Sequence, residues 1–182
     1  MVKSRHGPAP TLLKAALAYA RRGVSVFPCE ASAKRPLTRN GHWDATTDPH
    51  AIGRWWRRWP SANVAVPTGQ KSGVVVLDVD VDDGGPESLA RLERAGVPVP
   101  KTARARTGGG GIHLFFRYPR GREIRNSAGL LGPGLDVRGE GGYVVVPPSR
   151  TQGPYEWVDR SPPAEASWLI ERLAEGEEAT LF

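Results

Sequence analysis

The stretch Val74-Val75-Val76-Leu77-Asp78-Val79-Asp80 decides the fold, because an apolar run leads directly into two carboxylates. Such a run predicts a buried β-strand. Since side chains alternate between the faces of a strand, Asp78 and Asp80 should point the same way and Val79 into the core. Two like charges that close indicate a divalent cation between them, and oxygen ligands favour Mg²⁺ or Mn²⁺ over zinc. The alternative is an acidic strand end that faces solvent.

The composition excludes several classes of protein. The chain has 182 residues and a net charge of +6, which makes polyanions plausible partners. Arginines lie on both sides of the acidic strand in sequence, as a metal-dependent enzyme acting on phosphates would need. The single Cys29 excludes an internal disulfide framework, and no apolar run approaches the length of a membrane span. We therefore expect a cytoplasmic protein.

The sequence predicts one catalytic domain over residues 11–182, preceded by a disordered lead-in over residues 1–10. Hydrophobic periodicity and capping residues predict the elements that follow. Helices are predicted over residues 12–22 with Thr11 as the N-cap, behind the N-cap of Asp48-Pro49, over 87–95 and over 164–174. Strands are predicted over residues 24–27, 63–66, 74–80, about 102–106, 112–118, 135–138, 143–146 and 155–158.

A glycine run stands immediately before the strand predicted over residues 112–118. The run is Gly108-Gly109-Gly110-Gly111, and its unobstructed backbone N–H groups suit a close approach to phosphates. His113 follows two residues later and suits a triphosphate tail if it donates a hydrogen bond. A lone histidine is otherwise usually a satisfied structural residue, so both interpretations stay open.

A second acidic strand is predicted at Leu135-Asp136-Val137-Arg138-Gly139. An aspartate in a buried strand needs a partner. Arg138 lies on the same strand face as Asp136, so the two can form a plain ion pair. Alternatively, Asp136 completes a three-carboxylate metal site and Arg138 meets phosphate. Three acids around two metal ions is an arrangement that in-line nucleotidyl transfer uses.

The helix predicted behind Asp48-Pro49 carries a tryptophan stripe and several arginines. The stripe, at i, i+3, i+4 and i+7, predicts core packing more than a platform for bases. The arginines are expected on a solvated surface, with contact to a DNA backbone as the alternative. The stripe is Ile52, Trp55, Trp56 and Trp59, and the arginines are Arg54, Arg57 and Arg58.

Two other motifs share the Asp-x-Asp pattern. An EF-hand loop beginning at Asp78 would have Asp83 where glycine is needed and Leu89 where glutamate is needed, so that interpretation fails. The pattern also resembles the nucleophile strand of haloacid-dehalogenase-type phosphatases, with Asp78 as nucleophile and Asp80 as general acid. That family has a later lysine and a downstream acidic pair, whereas here Lys101 is the only later lysine and no such pair follows an apolar strand. The phosphatase remains the weaker enzyme alternative.

An ordered set of motifs along nearly the whole chain resembles the bifunctional DNA primase/polymerase (Prim-Pol) domain of the archaeo-eukaryotic primase superfamily. Each motif is weak alone, and their order makes the set specific. The motifs are Ala18-Tyr19, Gly23, Val26-Phe27-Pro28, Lys34-x-Pro36, Ala45-Thr46, Trp55-Trp56, Pro60, residues 63–66, Thr68-Gly69, and residues 72–80, 107–116, 131–139 and 141–149.

The resemblance implies an α+β fold, the archaeo-eukaryotic primase catalytic core. In that core an RRM-like, mainly antiparallel sheet with flanking helices carries the acids, beside a small N-terminal α/β unit. The family's metal-binding carboxylates correspond to Asp78, Asp80 and Asp136, which implies that these residues are catalytic and bind Mg²⁺ or Mn²⁺, with two ions expected.

The resemblance also implies the nucleotide contacts. His113 corresponds to the family's histidine that contacts the triphosphate, and residues 108–111 lie beside it. Arg138 and Lys34 stand at matching positions, as contacts to nucleotide or template. The chain has Gly111 two residues before the histidine, so no hydroxyl is available there.

Together these features predict a metal-dependent, template-directed nucleotidyltransferase, the DNA primase and DNA polymerase of a replication protein from a phage, plasmid or other mobile element. The expected partners are single-stranded DNA template, primer, dNTP or NTP, and a helicase domain or protein; no membrane partner is expected. Many relatives carry a helical priming module after this core, and the sequence ends at Phe182. Because templated extension does not need that module, we expect templated extension rather than de novo priming. The alternative from another class is a catalytically silent nucleic-acid-binding module on the same fold.

Overall fold

The computed structural model describes residues 11–180, and their side chains as far as residue 175. The lead-in predicted over residues 1–10 lies outside the described residues. Within them the helices are α1 (Leu12–Ala20), α2 (Pro49–Arg58), α3 (Gly85–Arg94) and α4 (Ser167–Thr180), with a short 3₁₀ helix at Gly41–Asp44. The strands are β1 (Phe27–Cys29), β2 (Asn63–Pro67), β3 (Val74–Val79), β4 (Ala103–Arg106), β5 (Ile112–Arg117), β6 (Leu135–Arg138), β7 (Tyr143–Val145), β8 (Glu156–Asp159) and β9 (Ala164–Glu165).

The first two helices begin at the predicted caps. The Thr11 hydroxyl accepts a hydrogen bond from the Lys14 amide at 3.4 Å, and the Asp48 carboxylate accepts from two amides at the start of α2. These side chains satisfy backbone donors that a helix N-terminus otherwise leaves unpaired. Helix α1 ends at Ala20, two residues before the predicted end, and Gly23 follows with a φ of 80°.

The strands form two sheets. The smaller sheet has the order β1-β2-β7, and the larger has the order β6-β3-β5-β4-β8, with β9 pairing in parallel with β5. All other pairings between strands are antiparallel. The α+β class with mostly antiparallel sheets is therefore confirmed. The small unit is not purely N-terminal, because β7 reaches it from a much later part of the chain.

Strand β3 is buried on both faces. Val75, Leu77 and Val79 belong to an apolar cluster that includes Trp168 and Leu169 of α4. On the opposite face, Val76 belongs to a cluster with α1, α2 and the smaller sheet. Asp78 shares this second face, which places its carboxylate in the cleft between the two sheets.

Several predicted boundaries shift. The strand predicted over residues 24–27 is observed at Phe27–Cys29, with Pro28 inside it, because β1 is a sheet edge where a missing N–H is tolerated. Strand β3 ends at Val79, so Asp80 is the first residue after it. Helix α3 begins at Gly85, two residues before its predicted start, and β9 occupies the beginning of the last predicted helix. No helix of the described part is long and apolar enough to cross a bilayer.

Candidate active site in the cleft between the sheets

Strand register brings three of the predicted side chains together. Asp78 pairs with His113 of β5 on one side and with Asp136 of β6 on the other. Nε2 of His113 lies 3.4 Å from Oδ1 of Asp78. Directly paired residues present their side chains on the same face of a sheet, so two acids and a histidine line one wall of the cleft.

Arg138 bridges the two aspartates. Its Nη2 lies 3.0 Å from Oδ2 of Asp136 and 3.5 Å from Oδ2 of Asp78. The other oxygen of Asp136, Oδ1, accepts a hydrogen bond from the Gly129 amide at 3.1 Å. The plain ion pair predicted between Asp136 and Arg138 is therefore present, and it extends to Asp78.

The Asp78 carboxyl is strongly influenced by its neighbours. Burial acts to raise its pKa, since only 14 % of the side chain is exposed. The interaction with His113 and the charges of Arg138 and Lys34 outweigh burial, and the pKa lies below its ordinary value of 3.8. Asp78 is thus held as a carboxylate in a poorly solvated position.

Asp80 stands apart from this cluster. It is exposed, and its Oδ1 accepts a hydrogen bond from the Asp82 amide at 3.0 Å. Its own amide donates to the Gly134 carbonyl at 2.8 Å, which anchors the backbone beyond the end of β3. Asp80 is therefore placed at the rim of the site, where its carboxylate meets solvent.

A cavity of about 300 Å³ opens in the cleft beside Asp78. Its wall combines cationic groups, the histidine and aromatic rings. Lys34 reaches the cavity from the loop between β1 and the 3₁₀ helix, and its carbonyl accepts a hydrogen bond from the Tyr143 hydroxyl at 3.1 Å. The lining residues are Lys34, Asp78, His113, Asn126, Arg138, residues 141–145 and Tyr155.

Two lining side chains have buried polar atoms without a hydrogen-bond partner among the described residues. These atoms are Nδ1 of His113 and the hydroxyl of Tyr155, and the side chains are 3 % and 2 % exposed. Their rings lie 6.0 Å apart, centroid to centroid. Native buried polar groups are nearly always paired, so such atoms indicate a missing ligand or water.

The glycine run lies outside the cavity lining. It forms the hairpin turn between β4 and β5, where the Gly110 amide donates to the Thr107 carbonyl at 3.0 Å. A Cβ on Gly111 would lie 2.4 Å from the Val79 carbonyl oxygen, and one on Gly108 would lie 2.3 Å from Oγ1 of Thr151. Close packing accounts for these two glycines, while Gly109 and Gly110 meet no atom closer than 3.4 Å.

The carboxylates can be tested against a divalent cation. Over the described residues, no group of three or more Asp, Glu, His or Cys side chains is arranged to hold a metal ion. Asp78 and Asp136 nevertheless face one another across β3 and β6, and Mg²⁺ commonly uses one or two carboxylates together with substrate phosphates. The donor set fits such a site, provided that Arg138 moves from between the two carboxylates.

Several lining residues were not predicted as site residues from the sequence. Tyr143 and Tyr155 lie in separate strand regions, and Asn126 lies in a charged loop. The Gly141-Gly142 pair before β7 is the sequence signal that could have indicated this part of the cavity wall. A Cβ on Gly142 would lie 2.4 Å from Oδ1 of Asn126. Glycine at position 142 therefore leaves room for the Asn126 side chain at the cavity wall.

The comparison with protein families identifies the family of the chain. The chain matches the family described as bifunctional DNA primase/polymerase, N-terminal (Prim-Pol), over residues 16–168. The match covers most of the chain, so the protein belongs to the Prim-Pol family. Membership implies an activity of the DNA primase/polymerase nucleotidyltransferase type. A comparison with curated proteins found no match.

Proposed function

We propose that the protein is a Mg²⁺- or Mn²⁺-dependent nucleotidyltransferase that extends a primer on a single-stranded DNA template. The observation that carries the proposal is the cavity in the cleft, which combines the Asp78 carboxylate, two cationic side chains and two buried polar atoms without a partner among the described residues. Such a cavity suits a ligand with phosphates at one end and hydrogen-bonding groups at the other.

In the proposed reaction the primer 3′-oxygen bonds to the α-phosphorus of the nucleotide, and the bond to pyrophosphate breaks. Asp78, Asp80 and Asp136 would hold the metal ions. When bound, such ions favour ionisation of the primer hydroxyl and neutralise charge on the pyrophosphate. Asp80 lies at the solvent rim. It belongs to the proposed set because nucleotidyl transfer with two metal ions can use three acids.

The remaining side chains would bind and orient the nucleotide. Lys34 and Arg138 supply positive charge to the triphosphate, as charge-assisted hydrogen bonds to phosphate require. His113 forms the cavity wall beside Asp78 and would donate to a phosphate oxygen. Residues 108–111, which lie outside the cavity lining, would contact phosphate through their backbone N–H groups.

We assign the fold to the archaeo-eukaryotic primase core. The five-strand order β6-β3-β5-β4-β8, with helices α3 and α4 packed on one face, supports an RRM-like sheet. Origin from a phage, plasmid or other mobile element, and a cytoplasmic location, stay predictions. The family assignment gives no support to the haloacid-dehalogenase-type phosphatase.

Primer extension tests the proposal. The protein is incubated with a primed single-stranded DNA, dNTPs and Mn²⁺, beside Asp78→Ala, Asp80→Ala and the matched control Glu93→Ala on the exposed face of α3. We expect metal-dependent extension by the wild type and by Glu93→Ala, and none by the two aspartate variants, all of which remain folded by circular dichroism. Extension by both aspartate variants would remove the proposal.

One observation favours the second candidate, a catalytically silent nucleic-acid-binding module. Arg138 already neutralises Asp78 and Asp136, and no three-acid cluster is formed among the described residues. A silent module would bind DNA with strong salt dependence. It would show no nucleotide binding that depends on Mg²⁺ or Mn²⁺, which isothermal titration calorimetry with a non-hydrolysable dNTP measures directly.

A further inference from the structure

A second concave surface lies beside the loop that carries Lys34. It has a volume of about 560 Å³ and lies between this loop and the C-terminal half of α2. We call it the α2 groove. The residues that define it are Arg39, Asp44, Arg54, Trp55, Arg58 and Trp59.

The groove carries unpaired positive charge. Arg39, Arg54 and Arg58 are exposed, and none of them forms an ion pair with an acidic side chain of residues 11–175. Asp44 is the acid in the groove, and its two oxygens accept hydrogen bonds of 2.9 Å from the backbone and side-chain nitrogens of Asn40. Three free guanidinium groups against one engaged carboxylate favour a polyanion.

The groove also offers aromatic surface. The tryptophan stripe packs on the apolar core as predicted: Trp56 is buried, with its Nε1 donating to the Ala62 carbonyl at 3.0 Å, and Trp55 and Trp59 pack against the same cluster. Trp55 and Trp59 are half-buried and line the groove, and the Arg58 guanidinium lies 4.9 Å from the Trp59 ring centroid. Guanidinium groups beside indole faces are the combination that binds single-stranded nucleic acid.

Aromatic rings extend from the catalytic cavity to Trp43, which precedes the groove residue Asp44 in sequence. Tyr143 lines the cavity, and His42 stacks on it at 5.8 Å between ring centroids. The Trp43 ring lies 4.5 Å from that of His42 and is 62 % exposed. Lys71 contributes a further positive charge here, since its Nζ donates to the Trp43 carbonyl at 3.0 Å. A strand that leaves the cavity past Tyr143 would cross Trp43 toward the α2 groove.

We infer that the α2 groove and Trp43 bind the single-stranded template beyond the catalytic cleft, the arginines contacting phosphates and the indoles stacking on bases. The inference rests on the proposed function in calling the strand a template. Binding by itself requires neither metal nor nucleotide.

Fluorescence anisotropy tests the inference with a fluorescein-labelled 20-nucleotide oligo(dT), in EDTA and without nucleotide, over a range of NaCl concentrations. The variant is Arg54→Gln/Arg58→Gln. The matched control is Arg91→Gln/Arg94→Gln, which removes two exposed charges from α3, on the far face of the larger sheet. We expect the α2 variant to bind more weakly and with a log–log salt slope shallower by about 1.4, the effect of two lost contacts to single-stranded phosphates. The control should retain the wild-type slope.

Trp43→Ala separates nucleic acid from an acidic protein partner. Loss of one stacked base should weaken binding by about fivefold without changing the salt slope. Equal slopes for the α2 variant and the control would overturn the inference. Full competition by poly-glutamate, together with unchanged binding by Trp43→Ala, would also overturn it and indicate an acidic protein instead.

These results are independent of catalysis. If the wild type fails to extend primers but the groove variants lose affinity as expected, the proposed function fails and the groove remains a single-strand site. If extension succeeds while the α2 variant binds oligo(dT) like the wild type, the groove inference fails alone.

Discussion

His113 lies directly opposite Asp78 in the pairing of β5 with β3, and its Nε2 approaches Oδ1 of Asp78 to 3.4 Å. The histidine is buried, and both side chains line the cavity. His113 can therefore act in two ways: it can hold Asp78 in position, and it can contact a nucleotide. Kinetics can separate them, because positioning of a catalytic carboxylate affects kcat and nucleotide contact affects KM.

We predict that His113→Ala mainly raises KM for the incoming nucleotide. The substitution removes the ring that would donate to the triphosphate, while Asp78 keeps Arg138 as a partner. Steady-state primer extension over a range of dNTP concentrations measures the effect, with the exposed His50→Ala on α2 as control. An unchanged KM would remove the proposed nucleotide contact, and a fall in kcat alone would assign His113 to positioning.

Asp78 should make the stability of the fold depend on pH. Its folded-state pKa lies below 3.8, so the unfolded chain takes up the proton first as the pH falls. The stabilisation is present above about pH 4 and is lost as the pH drops through the folded-state pKa. Urea unfolding of the wild type should therefore lose more free energy between pH 6 and pH 3 than that of Asp78→Asn. Parallel curves for the two proteins would contradict the assignment.

Arg138→Gln tests whether the two carboxylates that Arg138 bridges can bind a divalent cation. Without the guanidinium, Asp78 and Asp136 lose the cation that bridges them, and we expect a loss of about 1 kcal/mol in EDTA, which lowers Tm by about 2–4 °C. A divalent cation could then replace the missing charge. Mg²⁺ should raise the Tm of Arg138→Gln more than that of the wild type, in differential scanning fluorimetry without nucleotide. An equal response of both proteins would mean that the carboxylates do not bind Mg²⁺ there.

Local patterns predicted most of the fold, because the signals lay within single elements. The apolar run before Asp78, the caps at Thr11 and Asp48 and the stripe around Trp56 all correspond to observed elements. Pairings between distant segments left no such signal. Nothing in the sequence of β7 indicates that it joins β1 and β2, or that Tyr155 lies beside His113. Of the residues that line the cavity, the sequence motifs named Lys34, Asp78, His113 and Arg138 beforehand. They did not name Asn126, Tyr143 or Tyr155, because no local pattern indicates which distant segments meet at the cavity wall.

Alanine substitutions in the glycine hairpin can separate its role in packing from its proposed role in binding phosphate. Gly111→Ala should destabilise the fold by about 1–3 kcal/mol, because its Cβ would lie 2.4 Å from the Val79 carbonyl oxygen. Gly109→Ala has room, with Oε1 of Gln152 as its nearest neighbour at 3.4 Å. If the backbone near Gly109 contacts phosphates, that variant should keep its Tm and raise KM for dNTP. An unchanged KM in a stable Gly109→Ala protein would restrict the run to its packing role.

Tyr155→Phe should weaken nucleotide binding without lowering the stability of the fold. The Tyr155 hydroxyl is buried without a partner among the described residues, so removing it relieves an unsatisfied group and should leave the unfolding free energy unchanged or raise it by about 1 kcal/mol. If a bound nucleotide is the missing partner, the same variant should bind dNTP several-fold more weakly. Thermal unfolding without ligand and calorimetric titration with a non-hydrolysable dNTP measure the two effects on one preparation. A matched Tyr118→Phe variant removes a hydroxyl that accepts a hydrogen bond from the Ile124 amide at 2.9 Å, away from the cavity lining, and should instead lose stability. Lower stability of Tyr155→Phe with unchanged dNTP affinity would show that an ordered water or the fold itself satisfies the hydroxyl, and it would remove Tyr155 from the nucleotide site.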